Sequence, residues 1–591
     1  MDDAGVGITR TGDLIALVTY FVATLGLGLW FSIKTKTTEG YFLGGRKMPG
    51  WAVGLSMLGT AISSITFLAY PGSAYDGNYS RIVPGLAFPI GAIFAIWIFI
   101  RFYRETGYIS AYTYFERRFG LWGRIYVCIL FSLGQIWRMG LVLYLLSIAI
   151  TSMYPTFDLR LMIIVIGAFV TVYTVLGGIE AVVWTDVFQT IVLILGGFSV
   201  ILVVFMNVDG GAATVFQMGS EAHKFSFVGH EAKSAFDLSF ARDTLLMLLL
   251  TGVIGSSQEF ALDQTKIQRY CATSTIGAAR RAALTGAVGC IPVWLLFMFV
   301  GTCLWVFYQV HPDLMHRELL ADEVFPYFIV HQLPDGFGGV VIAGVLAAAM
   351  STISSSMSAT SNVVSEDIYK RLLVRGRDDY YYLKVAKIIA FLGGVGMFAV
   401  ALWLTLLRQE TILEICFIIG AMLAGGIGGF FFIGFCTTRA NNFGAAVGIV
   451  LAVLATFGMV FIEAKAMMWE SRVSWLTEAA VENGDVDAEA IRAEICAQAQ
   501  ADGITLRLAD VKKKEKEQVR NLLANRIRLE LGEQPPHLGD AIGVHPFAMG
   551  LVTNFLALIA GYLFSFFRPA QSLEKIGGLT WWTRHMKRIE P

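Results

Sequence analysis

Thirteen stretches of this chain are apolar for long enough to cross a lipid bilayer, and that leaves few architectures open. About 20 consecutive apolar residues bridge roughly 30 Å of hydrocarbon. Such runs lie at approximately 12–32, 50–73, 82–100, 125–152, 160–178, 183–207, 241–258, 276–309, 336–365, 383–406, 411–436, 442–462 and 547–567. Backbone N–H and C=O groups find no water in lipid, so only helices or closed barrels can span it. These runs are continuous and lack the alternation of barrel strands. The expectation is an all-α integral membrane protein with about 13 transmembrane helices.

Composition closes off the other classes. The chain of 591 residues is 56% hydrophobic and only 15% charged, against roughly 25% charged in soluble domains. Its 45 Lys+Arg balance 45 Asp+Glu, so no basic field draws nucleic acid. Seven cysteines, mostly in apolar runs and with no CxxC pair, read as small core residues. The flank Met1–Gly12 is net acidic, so no cleavable signal peptide is expected. There is no GxxxxGK[ST] for a built-in ATPase and no HExxH among the eight histidines. No enzymatic activity and no cofactor are expected.

Basic residues set the orientation. They gather in alternate connections, at Lys34, Lys36, Arg46 and Lys47, at Arg117 and Arg118, at Arg280 and Arg281, at Lys370, Arg371, Arg375 and Arg377, and at Arg584, Lys587 and Arg588. That side is cytoplasmic, which puts the N-terminus outside and the C-terminus inside. The polar stretch 463–545, with the basic run Lys512–Lys516 and apolar spacing at Leu522, Leu523, Ile527 and Leu531, falls outside by parity. Loops longer than about 60 residues escape the charge rule. It reads as a solvated helical insertion or a partner-binding element.

Polar groups inside spans are expensive and point to function. The second span is small and hydroxyl-rich over Gly59–Thr66. It either packs closely or unwinds and frees carbonyls for a hard monovalent cation. In the ninth span, eight of the eleven residues Ser351–Ser361 are Ser or Thr. Ser351, Thr352, Ser354 and Ser355 can share a face, either as ion ligands or bonded to their own i−4 carbonyls. Asp186 is an interfacial charge or the balance for a cation. Arg138, deep in the fourth span, either pairs with Asp186 or Glu259 or forks onto a solute carboxylate. The segment from Ser256, SSQEFALDQTKIQRYCATST, reads as a structured amphipathic loop with a gating or scaffold role.

YFLGGRKMPGWAVGLSMLGTAISSITF, GGIEAVVWTDVFQ, ALDQTKIQRYCA, AAAMSTISSSMSATSNVVSEDIYKR and TTRANNFGAAVG together resemble the sodium:solute symporter family, in family order over about residues 12–460. The resemblance is nearest to the sialic-acid and monocarboxylate carriers. It implies a five-plus-five inverted repeat of the leucine-transporter type, with one leading and two trailing helices. The divisions are then 1–48 (leading helix and loop), 49–208 and 209–440 (the repeats), 441–462 (a trailing helix), 463–545 (the insertion) and 546–591 (last helix and tail).

The resemblance also implies a sodium site from the carbonyls of Gly59, Ile62 and Ala348 and the hydroxyls of Ser351 and Thr352. A second sodium would use Asp186, Ser351, Ser354 and Ser355. Solute would meet Ser63, Thr66 and Arg138. The glutamine that sialic-acid carriers place on the second core helix is missing, since no Gln lies between Arg81 and Arg101. The implied function is sodium-driven symport of a small, carboxylate-bearing solute across the plasma membrane. The alternatives are a sugar or other neutral solute, or proton coupling on the same fold. Sodium, solute and the bilayer are the expected partners, and no oligomer is required.

Overall fold

The computed structural model describes the chain apart from residues 1–9, 33–35, 108, 155, 229–243, 316–318, 320, 407–418, 421, 424, 483–527, 529–540, 542–548 and 584–591. The described residues are overwhelmingly helical, and ten of their helices are long and apolar enough to cross a membrane. The order begins with α1 (Thr11–Ser32), α2 (Gly50–Ala61), α3 (Ser64–Asp76), α4 (Tyr79–Thr106), α5 (Thr113–Phe119), α6 (Leu121–Met153) and α7 (Leu159–Asn207). It continues with α8 (Leu245–Leu262), α9 (Gln264–Ala272), α10 (Ile276–Val310), α11 (Phe337–Leu373) and α12 (Asp379–Leu404). The last three are α13 (Ile427–Cys436), α14 (Asn442–Glu482) and α15 (Met549–Phe564). Each of the thirteen expected spans coincides at least in part with one of these helices. The stretch 411–418 of the eleventh lies outside the described residues.

Two of the expected spans fall within α7. Its 49 residues would measure roughly 73 Å if straight, more than twice the hydrocarbon thickness. The backbone therefore turns, at Gly178, where φ is 66° and ψ is −165°. A Cβ there would sit 2.7 Å from Tyr41 Cδ2 and 2.8 Å from the Tyr41 carbonyl oxygen. Both the left-handed φ and the close approach require glycine.

The second and seventh spans are interrupted. α2 and α3 meet at 56° across Ile62 and Ser63, whose backbones are extended (ψ 108° and 175°). α8 and α9 meet at Asp263 (ψ 115°), whose side chain accepts the Thr265 N–H and caps α9. These are the first helices of the two five-span repeats, and broken helices at matching positions mark the leucine-transporter architecture.

The segment expected as a loop after Ser256 is therefore the second half of a broken span. All nine residues of α9 are buried, although they include Gln264, Lys266, Gln268 and Arg269. Partners make this tolerable. Gln264 donates to the Ile109 carbonyl, Gln268 to the Phe42 carbonyl, and Lys266 faces Glu259 at 3.3 Å.

α11 lies at the centre. Its most apolar window is 89% buried, against 17% for α1 and 33% for α12. It packs most extensively on α7, and also on α6 and α1. In lipid such packing rests on close van der Waals contact between small residues. Gly301 of α10 shows it: a Cβ there would lie 2.2 Å from the Pro71 carbonyl oxygen of α3. The trailing span α14 continues as one helix to Glu482, past the boundary expected at 462. Most of the insertion, with Lys512–Lys516, Leu522, Leu523, Ile527 and Leu531, lies outside the described residues.

Candidate functional site

The break between α2 and α3 faces the Ser/Thr-rich middle of α11. Extended backbone at Ile62 and Ser63 ends the helical ladder, which leaves the carbonyls before it without their usual i+4 donors. Ser351 Oγ donates to the Gly59 carbonyl at 3.0 Å and lies 3.2 Å from the Ala348 carbonyl. Thr352 Oγ1 reaches the Ala348 carbonyl at 3.2 Å and the Thr60 carbonyl at 3.4 Å. Gly59, Ala348, Ser351 and Thr352 of the expected first set are thus gathered within hydrogen-bonding distance. Ile62 stands at the break itself, with its side chain buried. Carbonyl and hydroxyl oxygens without a carboxylate form a hard donor set suited to a monovalent cation.

The second expected set is divided. Asp186, fully buried on α7, accepts from Ser56 Oγ at 2.6 Å and lies 3.4 Å from Ser355 Oγ. Its main partner is Arg269 of α9, at 2.8 Å. The guanidinium also bonds Thr60 Oγ1 at 2.9 Å, Ser56 Oγ at 2.9 Å, Ser355 Oγ at 2.5 Å and the Thr265 carbonyl at 2.8 Å. Ser351 turns instead to Gly59, and Ser354 Oγ bonds the Ser351 carbonyl at 3.2 Å. Asp186 Oδ1 is buried with no hydrogen-bond partner among the described residues. A buried carboxylate oxygen left open beside hydroxyls can accept a cation.

Arg138 makes neither of the ion pairs considered for it. Arg269 takes Asp186 and Lys266 takes Glu259. Arg138 has no hydrogen bond or ion pair among the described residues and lines a cavity of about 350 Å³, together with Gln135, Glu259 and Asp263. The cavity lies against the α8–α9 break. Ser63, half-buried, and Thr66, buried, do not line it. Of the three expected solute contacts, this cavity therefore holds only Arg138.

Comparison with known proteins decides the family. The sequence profile of the sodium:solute symporter family matches residues 41–452. The chain belongs to that family. Over 439 residues it is 33% identical to the sodium/sialic acid symporter SiaT of Proteus mirabilis, covering 74% of this chain and 87% of that one. The sodium/sialic acid symporter NanT of Aliivibrio fischeri is 31% identical over 75% of this chain and 86% of its own. The human sodium-coupled monocarboxylate transporter 1 is 24% identical over 76% of this chain and 72% of its own. A solved structure, the substrate-bound outward-open state of a Na⁺-coupled sialic acid symporter with a novel Na⁺ site, superposes with a TM-score of 0.74 at 27% identity. It covers 95% of this chain and 99% of that one. These three sequence relatives are transporters, and the protein is a multi-pass membrane protein of a sodium-coupled symporter family.

Sequence reasoning missed Ser56, Thr60, Gln135 and Arg269. Ser56 and Thr60 are four apart on α2 and share a face, a signal that was present. Arg269 was hidden by reading its helix as a loop. The Asp263–Gln264–Thr265 cap was the clue that a helix starts there.

Proposed function

We propose that the protein couples downhill sodium entry to uptake of a small carboxylate-bearing solute by alternating access. The observation that carries this reading is the meeting of the Gly59 and Thr60 carbonyls, freed at a helix break, with the hydroxyls of Ser351 and Thr352. Sodium bound by Gly59, Ile62, Ala348, Ser351 and Thr352 would take over the bonds that now join the two helices. It would thereby fix the break against α11.

A second sodium at Asp186, with Ser354, Ser355 and Ser351, is supported by the open Oδ1 of Asp186. In this structure Arg269 supplies the countercharge. Arrival of sodium would loosen Arg269, and with it α9, which we read as the plug on the cytoplasmic side. Solute carboxylate would bind the unpaired Arg138, with Ser63 and Thr66 joining as the bundle of residues 49–208 and 209–440 rocks. The N-terminus lies outside and the C-terminus in the cytoplasm on this reading.

Two sodium ions with a monoanion move one net charge, worth about 2.3 kcal/mol per 100 mV. A tenfold sodium gradient adds about 1.4 kcal/mol per ion. The total, about 5 kcal/mol, corresponds to roughly 10³- to 10⁴-fold accumulation. The test is uptake into proteoliposomes with sodium replaced by choline. Uptake that collapses supports sodium coupling, and undiminished uptake refutes it in favour of proton coupling or facilitated transport. A sodium Hill coefficient that drops toward one in Asp186→Ala supports the second ion.

A further inference from the structure

Gln135 stands three residues before Arg138 on α6, so the two side chains share a face. It is buried, lines the same cavity of about 350 Å³, and its carboxamide oxygen has no hydrogen-bond partner among the described residues. A buried polar atom without a partner is costly and calls for an explanation. The neighbouring acceptors are engaged. Glu259 faces Lys266 at 3.3 Å, Asp263 Oδ1 accepts the Thr265 N–H at 2.8 Å, and Gln258 Oε1 accepts from Asn554 at 2.9 Å. Beside the unpaired guanidinium, the group left waiting for a partner is a neutral amide.

We propose that Gln135 is a specificity-determining residue, whose carboxamide binds a hydroxyl or amide group of a solute whose carboxylate is held by Arg138. It would select hydroxylated or acylamino carboxylic acids over plain aliphatic ones. This assignment rests on the reading that the solute is a carboxylate. The chemistry is complementary, because a carboxamide both donates and accepts, and so do a hydroxyl and a secondary amide. An ammonium group only donates and would seek the charge of Glu259, which Lys266 already balances. An alkyl chain would exclude water and leave the Gln135 amide unpaired. That asymmetry is why a site built for a hydroxyl rejects the analogue without it. The cavity volume is within the range of small-molecule sites.

The experiment measures sodium-dependent binding of N-acetylneuraminate and of hexanoate to the purified full chain. Wild type is expected to bind N-acetylneuraminate at least about tenfold more tightly, the worth of one net hydrogen bond. Gln135→Met keeps the length and removes both hydrogen-bonding groups. It should cut that preference by about tenfold while stabilisation by sodium alone stays as in wild type. Should Gln135→Met fail to fold, Gln135→Leu reads the same ratio. Equal binding of the two acids by wild type, or an unchanged preference in the variant, overturns the assignment alone. Binding of neither acid by wild type overturns the carboxylate reading and this assignment with it.

Discussion

Neutralising Asp186 should reveal how strongly the buried pair on α7 and α9 is coupled. Asp186 and Arg269 are 2.8 Å apart, with side chains 0% and 1% exposed. Removing one partner of such a pair leaves an uncompensated buried charge, which costs about 3–5 kcal/mol. Asp186→Asn keeps the shape. Arg269 then retains only neutral acceptors, Ser56, Thr60, Ser355 and the Thr265 carbonyl. Those contacts place the loss near the lower end, about 3 kcal/mol. Arg269→Gln should cost as much in choline and less in sodium, because a bound cation can replace the guanidinium. The double variant Asp186→Asn/Arg269→Gln buries no charge, so its loss should fall well short of the sum, with a coupling of about 2–3 kcal/mol. The assay is a double-mutant cycle on unfolding of the purified protein, followed by the fluorescence of its 13 tryptophans in choline and in sodium. Additive losses would refute the reasoning, and so would an Arg269→Gln protein indifferent to sodium.

Arg138→Ala should raise the apparent Km for a carboxylate solute at least tenfold, since a bidentate charged contact is lost; unchanged Km in proteoliposome uptake would make the arginine structural. Gly178→Ala should destabilise the fold by about 1–3 kcal/mol, because φ is 66° there and the new Cβ meets Tyr41; a thermal midpoint equal to wild type would contradict the turn in α7. Glu116 on α5 bonds Arg124 and Arg371. Burial pushes its carboxyl up, and the two arginines more than offset that, leaving it below the ordinary value. Its contribution is thus present above the unfolded pKa of about 4.3 and is lost as pH falls through the lower folded value. Glu116→Gln should therefore flatten the acid limb of a stability–pH profile below about pH 4.3, and an unaltered limb would dismiss the ion pairs.

The spans were readable because bilayer thickness imposes a run length that no local detail disguises. The break at Ile62 and Ser63 could be anticipated from Gly59, Thr60, Ser63 and Ser64, which offer a helix little side-chain support. The break at Asp263 had only the Asp263 cap as a local signal. Lys266 and Arg269 made α9 read as an amphipathic loop, and only the fold supplies the buried partners that let those charges stay inside. The same cause explains the wrong pairing imagined for Arg138. Asp186 meets a residue 83 positions away on another repeat, and nothing in either local sequence specifies that approach. The gathering of Gly59, Ala348, Ser351 and Thr352 followed from family resemblance, since oxygen-rich stretches alone do not say which helices face each other.

The most direct test asks whether the oxygens of the α2–α3 break and of α11 hold sodium. Thermal stability of the purified wild type, titrated with sodium chloride at constant total salt against choline chloride, is compared with that of Ser351→Ala/Thr352→Ala. Ligand binding to the folded state stabilises it by about 2.7 kcal/mol at a hundredfold excess over Kd. The account predicts a saturable gain in wild type with sodium and not with choline, and a midpoint concentration at least tenfold higher in the double variant. A folded double variant that responds to sodium as wild type does, or a wild type that does not respond, would contradict it.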